Sequence, residues 1–337
     1  MKIVSQAFII LVVSFLLSIN CFSQDDSSTS LMFYNVENLF DTVDDSTTVD
    51  EEFLPNGTRR WSRTRYWHKI NAIYKVIAAA GEWYPPALIG LCEIENRYVL
   101  ESLVNSTNLK TYNYGIVHEE SSDPRGIDVG LLYRRDMVKI ISHETIVPYP
   151  SFTSRDVLYV KCELFDDTLH LFLNHWPSRR GGVMAAQDMR DAVAGIVRHK
   201  IDSLAVADGM DAKIIVVGDF NISFDDDVMT DFVKGGENSF PLVNMVNRKK
   251  VGEGSYKYQG KWEIIDQIIV SQALLDAKKG ISTSSNDFSI FSQPFMLVKD
   301  ENNSGQRPFS TWWGYKYSGG YSDHLPVMLK LHRKKVE

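Results

Sequence analysis

Five segments of this 337-residue chain stop abruptly at an acid, an amide or a histidine, and this pattern constrains the fold more than any other feature. Leu88-Ile89-Gly90-Leu91-Cys92 ends at Glu93, and Leu171-Phe172-Leu173 ends at Asn174-His175. Ile214 to Gly218 ends at Asp219-Phe220-Asn221, and Ile264-Ile265 runs straight into Asp266. Gly319-Gly320-Tyr321-Ser322 leads into Asp323-His324, followed by Leu325-Pro326-Val327. Short continuous apolar runs of this kind read as strands covered on both faces. One polar ending carries little weight, because Asp and Asn are turn formers. Five endings that carry carboxylate, amide or imidazole place metal-ligating and acid–base groups where sites commonly gather.

Strands dominate the rest of the chain. Leu31–Val36, Tyr112–Val117, Val129–Tyr133, Val138–Val147, Val157–Phe165, Leu169–Asn174, Lys213–Val217, Ile264–Val270 and Val327–Leu331 all read as strands. Two longer helices are expected at Tyr66–Ala80 and Gln187–Val206, from apolar residues at helical spacing, and a short one at Tyr98–Val104. The hairpin-like middle, residues 112–174, argues against a doubly wound sheet. The expected class is α+β: two packed mixed sheets with helices outside, a four-layer arrangement.

Asn35 within FYNVENLFD, Glu93 within LCEIEN, His175 within FLNHWPS, Asp219 and Asn221 within VVGDFN, Asp266 within EIIDQIIV, and Asp323-His324 within YSDHLPV occur in this order. The ordered set resembles the endonuclease/exonuclease/phosphatase superfamily, which includes deoxyribonuclease I-like nucleases, neutral sphingomyelinases and inositol polyphosphate 5-phosphatases. The resemblance covers residues 31 to 332. It implies an αββα sandwich, Mg²⁺ (or Mn²⁺ in its place), and attack of water on phosphorus with inversion. Hard carboxylate oxygens suit Mg²⁺, so Glu93, Asn35 and Asp323 are the expected metal-shell residues, with Glu37 outside them. Asp219 is expected to orient or deprotonate the water and Asn221 to donate to a phosphoryl oxygen. His324 paired with Asp266 resembles the family's acid–base dyad, and His175 is the second imidazole facing the phosphate. Asp128 is a candidate partner for His175 and a candidate substrate-binding residue. Arg125, Arg179 and Arg180 are candidate substrate contacts, since guanidinium forks suit phosphate oxygens.

The N-terminus reads separately. Lys2 precedes an apolar run, Ala7–Ile19, too short to span a bilayer, which takes about 20 residues. Residues 1–23 therefore read as a signal peptide, 24–30 as a tether and 31–333 as the catalytic domain. Export to the periplasm or medium follows, and Ile19-Asn20 makes a poor approach to a lipid anchor at Cys21. No membrane span is expected after processing, and a monomer is expected. Cys92 and Cys162 lie in apolar runs and read as buried thiols, a disulfide being the alternative.

The net charge of −7 argues against adhesion to nucleic acid through a broad basic surface. It leaves a polyanionic substrate open, because a bound cation supplies the attraction. Arg59, Arg60, Arg63 and Arg65 alternate with aromatics, yet fit the solvated start of an amphipathic helix better than a phosphate track. The buried reading is likewise preferred for Trp312-Trp313. His118, His143, His170 and His199 match no motif. The leading expectation is metal-dependent phosphodiester hydrolysis, with nucleic acid as substrate. The alternatives are a phospholipid or sphingomyelin phosphodiesterase, a phosphatase acting on inositol phosphates or nucleotides, and a catalytically inactive binding module.

Overall fold

A computed structural model describes residues 27–81, 84–148, 155–178, 183–246 and 254–335, with the side chains of 183–185 excepted. The first half runs β1 (Ser28–Leu39), α1 (Arg63–Ala80), β2 (Leu88–Ile94), α2 (Arg97–Asn105), β3 (Tyr114–His118) and β4 (Asp128–Arg134). Then come β5 (Val138–Ile146), β6 (Val157–Leu164), β7 (Asp167–His175), α3 (Val183–Asp208), β8 (Lys213–Asp219) and α4 (Asp227–Lys234). The remainder includes β9 (Leu242–Asn244), β10 (Tyr256–Tyr258), β11 (Lys261–Glu263), β12 (Asp266–Ser271), β13 (Gly280–Ser282) and β14 (Phe288–Ile290). Four short paired strands, at Leu297–Lys299, Gln306–Pro308, Trp312–Trp313 and Lys316–Tyr317, precede the C-terminal strand Val327–Lys334.

One sheet has the order β13, the C-terminal strand, β1, β2, β4, β3, with β14 also pairing the C-terminal strand. The other has the order β5, β6, β7, β8, β12, β9. Alternate residues of the central strands enter different cores. Leu31 and Phe33 of β1 meet Leu171, Leu173, Ile215 and Val217 between the sheets. Met32 and Tyr34 face the other way, onto Ile70, Ile73 and Ile77 of α1. Ile214 and Val216 of β8 face Val193, Val197 and Ile201 of α3. Three cores separate four layers, so both faces of both sheets are covered. This is why these strands read as unbroken apolar runs rather than alternating ones.

Two parallel pairs position the site. β1 pairs parallel with β2, and β7 with β8. Parallel neighbours need a long crossover; α1 and α3 lie in the two connections. The C-terminal ends of all four strands therefore open at one edge. β12 and the C-terminal strand run antiparallel to their neighbours, so their N-terminal ends, with Asp266 and the residues just after His324, reach the same edge.

Several boundaries differ from expectation. β1 begins at Ser28, inside the stretch read as a tether, because Ser28 to Ser30 continue the ladder against His332 to Lys330. α1 begins at Arg63, three residues early, because Ser62 accepts a hydrogen bond from Arg65 N and caps it. α4 was not anticipated. It is capped by Asp226 and buries Val228, Met229 and Phe232. Cys92 and Cys162 are buried in the inter-sheet core and unpaired. Among the described residues no helix is long and apolar enough to cross a membrane. The expected signal peptide, Cys21, Arg179 and Arg180 lie outside the described residues.

Candidate active site

The inter-sheet face of each central strand changes from apolar to polar at the open edge. Phe33 is followed by Asn35, Leu173 by His175 and Val217 by Asp219 on the same side, and Asp266 precedes Ile268. Asn35, His175, Asp219 and Asp266 are almost wholly buried, and His175 and Asp219 line a cleft of about 360 Å³, with Asn35 and Asp266 bonded to its lining residues from behind. Glu93 arrives by another route. It sits at a register break between β2 and β4 with φ of 61°, a left-handed conformation uncommon outside glycine. Such strain clusters at functional sites. Here it aims the carboxylate into the cleft, where Asn38 N donates to Oε2 at 2.9 Å.

Asn35 ties the two sheets together. Its Nδ2 donates to Glu93 Oε1 at 3.3 Å and to Asp219 Oδ2 at 3.0 Å. Its Oδ1 accepts from Glu37 N at 2.9 Å. Asn221, also left-handed, donates its backbone N to Asp219 Oδ1 at 2.9 Å and its Nδ2 to Trp176 O at 2.9 Å. Both carboxylate oxygens of Asp219 are thus fixed.

Two imidazoles flank Asp219 in opposite charge states. His324 Nδ1 is 2.7 Å from Asp266 Oδ2, and its Nε2 is 3.8 Å from Asp219 Oδ2. Burial works against its charge, but Asp266 and Asp219 outweigh it and hold the imidazolium well above the ordinary histidine range. His175 Nε2 lies 3.8 Å from both Glu93 Oε1 and Asp219 Oδ2. Burial, with Arg155 and Arg125 nearby, pushes it well below the ordinary range, so it is neutral. Burial also pushes Asp219 up to about 7, opposed by His324, Asn221 N and Asn35. Pairs of titratable groups driven apart in this way are the mark of divided acid and base roles.

The donor set fits a hard divalent cation. Glu93, Asp219 and Asp323 present carboxylates to one cleft. Burial first, and the charge of Glu93 among other causes, raise Asp323. A cation bound between such carboxylates relieves that repulsion, and oxygen ligands suit Mg²⁺-type ions. Glu93 and Asp323 line that cleft, and among the described residues Asp219, Asp266 and His324 bring ligand atoms within 4.8 Å of one another; Asn35, expected among the ligands, turns its Nδ2 to Glu93 and Asp219 while its Oδ1 is taken by Glu37 N.

Glu37 stands outside the cleft lining. It turns to the helix side and accepts from Thr311 N at 2.5 Å and Trp312 N at 3.0 Å. Lys69 Nζ, fully buried, donates to Thr311 Oγ1 and Tyr321 O. Glu37 therefore braces the loop that leads into Asp323-His324.

Asp128 departs from expectation. It does not partner His175; His118 Nε2 lies 3.0 Å from its Oδ2, and Ser121 N donates to its Oδ1 at 2.9 Å. The register break beside Glu93 places Asp128 opposite Ile94. His118, Glu120 and Asp128 form their own cluster, which the sequence reading left unassigned. Arg125 lines the cleft. Arg155, Tyr256 and Tyr258 also line it and were missed. Arg155 carried no motif, and the tyrosines sit in a hairpin of three-residue strands too short to show a period. Trp312 is buried in the helix-side core, whereas Trp313, against the buried reading, is 41% exposed with Arg307 3.8 Å over its ring, and neither lines the cleft. Arg59 pairs with Glu52 and lies over Trp312, and Trp61 is buried, in keeping with the helix-start reading.

A family model described as Endonuclease/Exonuclease/phosphatase family matches residues 30–333. A search of curated proteins returns no match. Among solved structures, a humanized D. rerio TDP2 aligns with TM-score 0.58 at 15% identity, covering 90% of this chain and 99% of that one. An endonuclease/exonuclease/phosphatase from Bacteroides vulgatus aligns with TM-score 0.57 at 13% identity, covering 91% and 100%. D. rerio TDP2 complexed with single strand DNA product aligns with TM-score 0.56 at 14% identity, covering 91% and 99%. At these identities the structural likeness speaks for the fold.

Proposed function

Because the chain belongs to the endonuclease/exonuclease/phosphatase family and is thereby a phosphoester hydrolase, we propose that it is an exported, Mg²⁺-dependent phosphodiesterase acting on nucleic acid. The observation that carries this reading is the buried Asp266–His324 pair set beside Asp219 and Glu93. Asp219, held on both oxygens, orients the attacking water and takes its proton. His324, kept cationic, donates to the departing oxygen. Neutral His175 offers an N–H to the phosphoryl group without adding charge. Asn221, fixed by Trp176 O, donates to a phosphoryl oxygen. Glu93 and Asp323 would hold a divalent cation, with Asn35 orienting Glu93 through its Nδ2, and the cation would supply neutralisation of charge developing on the phosphate. Mn²⁺ is expected to substitute for Mg²⁺.

Nucleic acid is favoured because arginines line the cleft while the chain as a whole is acidic. The likeness to a TDP2 solved with single strand DNA product supports the same choice. Export is proposed from the Ala7–Ile19 run, and sequencing the mature N-terminus checks it, with Gln24 the expected first residue.

The test is a substrate panel with purified residues 24–337: plasmid DNA, RNA, sphingomyelin and inositol phosphates, each with Mg²⁺, Mn²⁺, Ca²⁺ or EDTA. Metal-dependent cleavage of DNA or RNA is expected. Cleavage of sphingomyelin alone would transfer the assignment to lipid, and no release from any phosphate ester would end it.

A further inference from the structure

The cleft has two unlike walls. On the His175 side stand Arg125 and Arg155, both against one buried carboxylate. Arg125 Nη2 and Arg155 Nε each lie 3.2 Å from Asp123 Oδ2. Arg155 Nη1 also donates to Trp176 O at 2.8 Å. Arg155 is only 7% exposed. Two guanidinium groups share one directly paired carboxylate, with N–H donors to spare, on the wall of a cleft whose other carboxylates, Glu93 and Asp219, also act on Arg155. That is the complement of a second anionic group, distinct from the phosphate being cleaved.

On the His324 side stand Tyr256 and Tyr258. They alternate along β10, so both face the cleft. The Tyr256 ring lies 4.8 Å from the His324 ring at 33°. Tyr258 is 51% exposed, a large ring without a full protein cover. Lys257, between them, points the other way and is bound by Asp300 Oδ2 at 2.8 Å, Ser304 O at 2.8 Å and Gln306 O at 3.0 Å. Ser255 O accepts from Leu325 N at 2.7 Å, and Ser255 Oγ accepts from Asp266 N at 3.2 Å. The tyrosine wall is therefore fastened on the side away from the cleft and to the dyad itself.

A substrate must satisfy both walls across one phosphodiester. The group attached to the oxygen that His324 protonates meets the tyrosines, so it presents a flat ring. The group on the other side carries another negative charge. A choline head group would bring a cation toward two arginines, and an inositol has no flat ring. A polynucleotide supplies both features, but only where the base is free to leave its partner, since a duplex keeps its bases in the helical stack. Resting on the phosphodiesterase reading above, we infer that this site selects single-stranded nucleic acid. The base on the leaving-group side stacks against Tyr256 and Tyr258, and a flanking phosphate sits at Arg125 and Arg155.

Binding by fluorescence anisotropy tests this without turnover. The intact protein is titrated, in EDTA, into one labelled oligonucleotide, single-stranded or annealed to its complement. The single strand is expected to bind about 10-fold more tightly. Tyr258→Ala should weaken single-strand binding by about 10-fold and Tyr258→Phe should restore it, because stacking needs the ring and not the hydroxyl. Arg125→Gln should weaken both forms and lower the salt slope by about one. Equal or tighter binding of the duplex would overturn the inference. So would a Tyr258→Ala protein that binds single strand as wild type does, or no binding of either form. Cleavage with Mg²⁺, measured in parallel, separates this inference from the one it rests on. Protein that binds single strand selectively but cleaves nothing keeps the stacking site and loses the enzymatic reading. Protein that cleaves both forms alike keeps the enzymatic reading and loses this one.

Discussion

His324 and Asp266 share a 2.7 Å hydrogen bond between Nδ1 and Oδ2, across 58 residues of sequence, inside the protein. The bond leaves His324 Nε2 directed to the side of Asp219, 3.8 Å from its Oδ2. A buried imidazole would ordinarily lose its proton; the carboxylates reverse that. Asp266→Asn keeps the shape and removes the charge. It is expected to lower kcat about 10²- to 10⁴-fold, the usual worth of a general acid. The sign of the pH effect follows. Activity that needs the imidazolium disappears as pH rises through its pKa, and without Asp266 that pKa falls. The alkaline limb of the kcat profile should therefore move to lower pH in Asp266→Asn, and a limb that stays in place would exclude the dyad as the acid.

Glu93 enters the cleft from a left-handed backbone position at a register break. If that strain serves a cation, the cation must bind the folded chain and stabilise it by mass action. Millimolar Mg²⁺ is expected to raise the melting temperature of the wild-type protein, and Glu93→Gln should lose most of that rise. Cleavage by Glu93→Gln should fall in parallel and recover in part at higher Mg²⁺. Thermal melts with and without EDTA read the first effect independently of activity.

The reaction class was legible because the site lies on strand ends, where a strand's own pattern announces its end. Glu93, His175, Asp219 and Asp266 each close or open a buried run, so an apolar-to-polar change marks them. Asp323-His324 was legible only through its motif, since Gly319 to Ser322 form no strand. Asp128 misled because it has the same signature, an acid before an apolar run, yet the neighbouring bulge turns it to His118. Arg155 and Tyr258 left no trace. Their roles come from what packs beside them, and burial of a lone arginine or exposure of a tyrosine has no sequence period. Short ladders such as Tyr256–Tyr258 are fixed by tertiary contacts like that of Lys257, and local propensity does not reveal those.

Gly218 lies where β7 and β8 pair beside the site. A Cβ there would stand 2.3 Å from the backbone oxygen of Asn174, and 2.7 Å from its Cβ. Asn174 pairs with Gly218, and His175 with Asp219, along the same ladder. Gly218→Ala must therefore push β7 from β8 at the point where His175 and Asp219 face each other. The expected result is a stability loss of about 1–3 kcal/mol, as for overpacking elsewhere, together with a fall in kcat of about tenfold or more. Urea unfolding and initial rates on the same preparation separate the two. A variant that loses stability but keeps kcat would show that the spacing of these strands does not set the site.

His170 gives a pH dependence of opposite sign to the dyad, far from the cleft. Its Nδ1 is 2.8 Å from Tyr159 OH and its Nε2 is 3.3 Å from Asp208 Oδ2. The pair of contacts suits the neutral ring, with Nε2–H donating to the carboxylate and Nδ1 accepting from the phenol. Burial, aided by Lys161 and Lys200 and opposed by Asp208, pushes its pKa from 6.5 down to about 4. The unfolded chain takes up a proton near 6.5, whereas the folded chain resists until about 4. The stability this contributes is complete above pH 6.5 and is lost as pH falls toward 4. The loss should be on the order of 2 kcal/mol, allowing for solvent screening of Asp208 at the surface. His170→Gln can donate to Asp208 and accept from Tyr159 without titrating, so its stability should vary less across that window. Urea midpoints of the two proteins at pH 7 and at pH 4.5 provide the check. Equal declines in both would assign the acid sensitivity to groups other than His170.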